Sequence, residues 1–223
     1  MPRTNESFRR DQPDIQWLER MYNNRMRVPE HPAYFTRWAA ESALVRRTLA
    51  CDVDVPYGDA PRERLDAFKA PRPGAPLVVF IHGGYWRALD KSFHSFVAGA
   101  ARTVAAVAEV KDNADPRHIS VVGHSAGGQL AAMMLACAWN VFDPALPRDV
   151  VKRALGLSGV YDLQPLLHVP SLQEVLRLDA AQVAACSPAR IPAPARGQFY
   201  ALVGGDESGE YLRLNRLIQQ AWG

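Results

Sequence analysis

The chain has 223 residues, 48% hydrophobic and 22% charged, with 26 Lys and Arg against 23 Asp and Glu. That length and composition fit one globular domain with a real core, or at most two small ones, and a net charge of +3 is too small to argue for nucleic acid or an anionic membrane surface. Three scattered cysteines, Cys51, Cys137 and Cys186, show no Cys/His ligand spacing, which argues against zinc and fits free thiols in a reducing compartment.

The first 14 residues, MPRTNESFRRDQPD, contain no apolar h-region, and no apolar run reaches the length of a bilayer span. The expected location is cytoplasmic. Residues 1–30 are polar, with Trp17, Leu18 and Met21 at helical spacing. The stretch HPAYFTRWAAESALVRRTLA puts Phe35, Trp38, Leu44, Val45 and Leu49 broadly on one helical face. Residues 1–50 are expected to form a helical segment packed on a single domain that spans 1–223.

ACDVDVPYGD and RERLDAFKA read as strands, and PRPGAP as a turn. LVVFIHGG then reads as a strand buried on both faces, as in a parallel sheet. HISVVGHS, VKRALGLSGVYD and GQFYALVGGDES are three more strand candidates. Helical patterns alternate with them at 88–109, 126–139, about 171–185 and 208–221. Alternating strands and helices predict a doubly wound, mostly parallel α/β sheet, with ligands at the carboxyl ends of the strands.

Three motifs fall at such ends. Gly123-His124-Ser125-Ala126-Gly127 is a G-x-S-x-G, whose glycines allow a sharp strand-to-helix turn that lifts a serine above the sheet. The following helix would favour negative charge developing at its N-terminus. A plain tight turn is the alternative reading. HGGYW, residues 82–86, offers backbone N–H groups uncrowded by side chains. An oxyanion hole is expected from Gly83, Gly84 and Ala126. His82 is expected to brace that loop, while Tyr85 and Trp86 are open between core and substrate pocket. In LVGGDES, Asp206 follows a late strand, where this fold keeps the acid of its Ser–acid–His order. Asp162 is the runner-up, expected instead to close a turn.

With those residues in place, the chain resembles the α/β-hydrolase arylformamidases, or kynurenine formamidases. YNNRMRVPEHPAYFTRWAAES, HGGYW, VVGHSAGGQLAAMML, GLSGVYDLQPL and VGGDESGEYLRLNRLIQQAW carry the resemblance. It implies the α/β-hydrolase fold and a metal-independent serine hydrolase without a cofactor. Ser125 would attack the formyl carbonyl of N-formyl-L-kynurenine, releasing formate and L-kynurenine in tryptophan catabolism, with Asp206 orienting the base. The partner it implies is a small aromatic formamide or ester, and the assembly a homodimer.

Two departures from the family pattern stand out. No histidine follows Asp206, and His31, His82, His94, His118, His124 and His168 all precede it. Of these, His94 and His168 are the conceivable substitutes for the base. The span from His82 to Ser125 supplies one helix and no convincing strand. The expectation is a formamidase lacking an internal segment and the C-terminal catalytic histidine. The alternatives are a small-acyl carboxylesterase, or an impaired pseudo-hydrolase that only binds a ligand or partner.

Overall fold

The structure, a computed structural model, describes residues 14–70, 72–86 and 114–223. The predicted helix at 88–109 and His94 lie outside these residues.

Asp14 caps the first helix, α1 (Ile15–Tyr22), by accepting from the Trp17 N–H, and the helix buries Trp17, Leu18 and Tyr22. Asn23 caps the short α2 (Asn24–Arg27) in the same way. The long α3 (His31–Thr48) starts with a proline in its first turn and buries no residue. The expected packing of the N-terminal segment on the core thus belongs to α1. In α3 the apolar residues are spread around the axis among Arg37, Glu41, Arg46 and Arg47, so no apolar stripe faces one way. Its end is tied instead by charge: Arg46 forms an ion pair with Asp66 at 2.7 Å.

Asp66 belongs to an antiparallel pair, β1 (Cys51–Pro56) with β2 (Arg64–Phe68), both predicted from alternation. The main sheet is parallel throughout: β3 (Ala75–Ile81), β4 (Ala114–His124), β5 (Val151–Leu157) and β6 (Gln198–Leu202) lie in sequence order. Register aligns Val79, Val121, Ala154 and Phe199 in one row, and Ile81, Gly123, Gly156 and Ala201 in the next row on that face. α4 (Ala126–Ala136) lays Leu130, Ala131 and Leu135 against this face, with Trp139 of the short α5 (Trp139–Phe142) completing the cluster.

The opposite face differs from the expectation of strands buried on both sides. Val78, Phe80 and Tyr200 are 61%, 58% and 51% exposed. The described helices explain this: α4 and the C-terminal α8 (Gly209–Trp222) both pack on the Val79–Phe199 side, where Trp222 meets Phe199 edge-on.

A second core lies beside the strand ends. It joins α1 to the 3-10 turn Gln164–His168, to α6 (Pro170–Leu176), α7 (Ala180–Cys186) and α8. The predicted helix at about 171–185 is thus two helices, broken where Arg177 turns left-handed and Asp179 opens a capping box with Gln182. No described helix is long and apolar enough to cross a membrane.

Candidate active site

The four parallel strands deliver their carboxyl ends to one edge. β3 ends at His82-Gly83, β4 at Ser125, β5 at Ser158, and β6 leads to Gly204–Glu207.

Ser125 has φ 55 and ψ −116, a conformation an L-residue holds only when its surroundings impose it, at a cost of about 1–3 kcal/mol. Neighbouring backbone imposes it. A Cβ on Gly123 would stand 1.9 Å from the Gly127 carbonyl oxygen, and one on Gly127 would stand 2.1 Å from that of Ile81. Only glycine at both positions lets α4 start this close to β3 and β4. The Ser125 N–H donates to Leu157 O at 2.8 Å, which pins the turn to β5. The side chain is 5% exposed at the N-terminus of α4, whose first N–H groups have no partner within the helix.

The HGG loop lies alongside. A Cβ on Gly83 would come within 2.9 Å of His124 Nδ1 and 3.1 Å of Ser125 Cβ, so the loop backbone passes directly over the elbow. Gly84, Tyr85 and Trp86 then take φ values of 113, 51 and 54. His82 is buried and its Nδ1 hydrogen-bonds the Gly83 carbonyl, which fits the bracing role. Half-buried Trp86 donates from Nε1 to Gln129 Oε1 at 3.2 Å and touches both cores. Gln129 in turn donates to Cys186 O at 2.8 Å, fastening loop, elbow helix and α7 together.

Half-buried Tyr85 leads into a group of hydroxyls that sequence reasoning missed. Its OH donates to Tyr22 O at 2.6 Å, supplying a partner for a carbonyl at the end of α1. The same OH lies 2.7 Å from the Tyr211 hydroxyl. Tyr211 also accepts from Asn24 Nδ2 at 3.3 Å. Burial pushes Tyr211 above its ordinary pKa and pushes Tyr85 and Tyr22 well above theirs, so all three are neutral at pH 7. Behind them Tyr22 OH donates to Glu210 at 2.9 Å, and Arg213 grips the same fully buried carboxylate at 2.8 and 2.9 Å. The signal available in the sequence was YNNR near one terminus and GEYLR near the other.

The two carboxylates after β6 part company. Asp206 is exposed in the turn. Glu207 is half-buried and accepts from Ser158 Oγ at 2.6 Å. Its charge reaches the site: it raises Tyr85 and Tyr211 further, after desolvation, and offsets the lowering of His124 that desolvation causes. Asp162 accepts from the Gln164 N–H at 3.1 Å and from Arg190 at 2.7 Å, closing a turn as expected.

His118 is exposed and sits 2.8 Å from Asp115, near the start of β4 and far from the strand ends. His168 is half-buried at the end of the 3-10 turn. Among the described residues, no group of three or more His, Cys, Asp or Glu is placed to hold a metal.

No family model matches the chain. A kynurenine formamidase from Danio rerio is 30% identical over 217 aligned residues, covering 83% of this chain and 72% of the relative. One from Salmo salar is 29% identical over 180 residues, 68% of this chain and 59% of the relative. Among solved structures, a protein of Silicibacter sp. TM1040 named a "putative thioesterase" superposes with a TM-score of 0.78 at 28% identity, covering 92% of this chain and 87% of that one.

Proposed function

The chain belongs to the kynurenine formamidase family and carries its α/β-hydrolase fold, and on that premise we propose that it hydrolyses N-formyl-L-kynurenine to formate and L-kynurenine, with Ser125 as nucleophile. The observation that carries this is the strained Ser125 turn beneath the HGG loop, at the N-terminus of α4.

Ser125 Oγ attacks the formyl carbon. The carbonyl π pair moves onto oxygen, which the N–H groups of Gly83, Gly84 and Ala126 receive. Each such donor is worth about 10²–10³ in rate. The serine proton passes to a base and then to the leaving nitrogen, and water repeats the sequence to release formate. Glu207, half-buried and held by Ser158 at the end of β5, suits the orienting carboxylate better than exposed Asp206. Tyr85 and Trp86 border the substrate. The reading extends to one domain, a homodimer and a cytoplasmic setting. It is supported by free thiols at Cys51, Cys137 and Cys186, and by exposed apolar residues Tyr34, Trp38 and Leu44 on α3.

The test is loss of the N-formyl-L-kynurenine absorbance, with Ser125→Ala as control and intact mass verified. The expected result is activity that falls to background in Ser125→Ala. Equal rates in both would refute the nucleophile. The Silicibacter likeness favours a second reading, hydrolysis of small esters or thioesters by the same elbow. Preference for 4-nitrophenyl acetate by orders of magnitude would select it.

A further inference from the structure

Tyr85 and Trp86 take φ values of 51 and 54, a consecutive left-handed pair that bulky residues adopt only under constraint. Among the described residues, no backbone-to-backbone hydrogen bond ties Gly83, Gly84, Tyr85 or Trp86 to another segment. The constraint seen there comes from side chains. Trp86 Nε1 donates to Gln129 Oε1 at 3.2 Å, which fastens the loop to α4. Tyr85 fastens it to α1 and α8. A carbonyl only accepts, so the single Tyr85 proton is committed to Tyr22 O, 2.6 Å away. In the 2.7 Å pair with Tyr211, Tyr85 is therefore the acceptor. The two partners lie 63 and 126 positions from Tyr85, so the loop is held by helices remote from it in the chain.

The Tyr85 hydroxyl is thus engaged with two helices, while the backbone it carries continues from Gly83 and Gly84. We infer that Tyr85 is a positioning residue for catalysis. By tying the loop to the end of α1, its hydroxyl imposes the left-handed turn that aims the Gly83 and Gly84 N–H groups at the oxyanion. The loop backbone borders the substrate, and the phenol acts from behind it. An aimed donor counts most when the carbonyl oxygen has become an anion, so the tether acts on the chemical step and hardly on substrate binding. An ester and a formamide develop the same oxyanion, so both depend on the tether alike. The inference rests on the serine hydrolase reading, with Gly83 and Gly84 as donors, and it holds for either acyl substrate. It also makes α1 part of the catalytic apparatus, through the carbonyl of Tyr22, although α1 supplies no group that touches the substrate.

Two measurements decide it. The first compares kcat and KM in the unaltered chain and in Tyr85→Phe, which keeps the ring and removes the hydroxyl. For both N-formyl-L-kynurenine and 4-nitrophenyl acetate, kcat is expected to fall about 10-fold while KM stays within about 2-fold. An unchanged kcat, or a raised KM at constant kcat, overturns the inference; the latter would make Tyr85 a pocket residue. Leu172→Ala, which loosens the same core on α6, is the control. It is expected to lower the melting temperature and leave kcat unchanged well below melting, and an equal kcat loss there would reduce Tyr85 to packing. The second measurement is the crystal structure of Tyr85→Phe beside that of the unaltered chain. Residues 85 and 86 leaving the left-handed region supports the tether, and an unmoved loop overturns it. A chain that turns over neither substrate sinks the hydrolase reading, while the two crystal structures still decide the tether.

Discussion

Glu207 and Asp206 are adjacent carboxylates with opposite surroundings. Ser158 holds the first at 2.6 Å against the strand ends, and the second faces solvent. If a carboxylate orients the base, Glu207→Gln should lower kcat by about 10²-fold or more, and Asp206→Asn should change it by less than about 3-fold. Steady-state kinetics on the two variants separate them, and the reverse order would restore Asp206. The contrast also shows what a one-dimensional reading can hold. Ser125 was legible because its glycines are dictated by backbone contacts only a G-x-S-x-G allows. In GGDES, a turn that winds one residue differently exchanges the two acids, and nothing in residue type says which one points inward. Tyr211 was illegible for another reason, since its meaning lies in Tyr85 and Asn24, far away in the chain.

At the scale of elements, the elbow is the most constrained feature. A methyl group on Gly123 would meet backbone, 1.9 Å from Gly127 O, with no flexible side chain to move aside. Gly123→Ala is expected to destabilise by about 3 kcal/mol or more through overpacking. Thermal melting of that variant should show it, and an unchanged midpoint would mean that α4 can slide. The strands were readable from their apolar runs, but which faces they bury was not. A run such as LVVFI reads the same whether both faces are covered or one, and Val78 and Phe80 are exposed. For α3, propensity announced a helix correctly, while its scattered apolar residues gave no sound forecast of packing.

Across the whole molecule, α1 and α8 meet around Leu18, Tyr22, Tyr211 and Leu214, far apart in the chain. Leu18 is fully buried there, so Leu18→Ala should cost about 2–5 kcal/mol. Denaturant titration checks this, and a loss below about 1 kcal/mol would mean that α1 is only lightly attached. The same union has a consequence for how the protein is made. Ser125 takes its strained turn from neighbours such as Gly123, Gly127 and Leu157, all within a short stretch of chain. The bond from Tyr22 to Glu210 spans 188 positions. On the ribosome α1 emerges well before its partner helix α8. The elbow can be shaped before α8 is made, but the hydroxyl pair of Tyr85 and Tyr211 closes only after Tyr211 has left the exit tunnel. The second core is therefore completed later than the elbow.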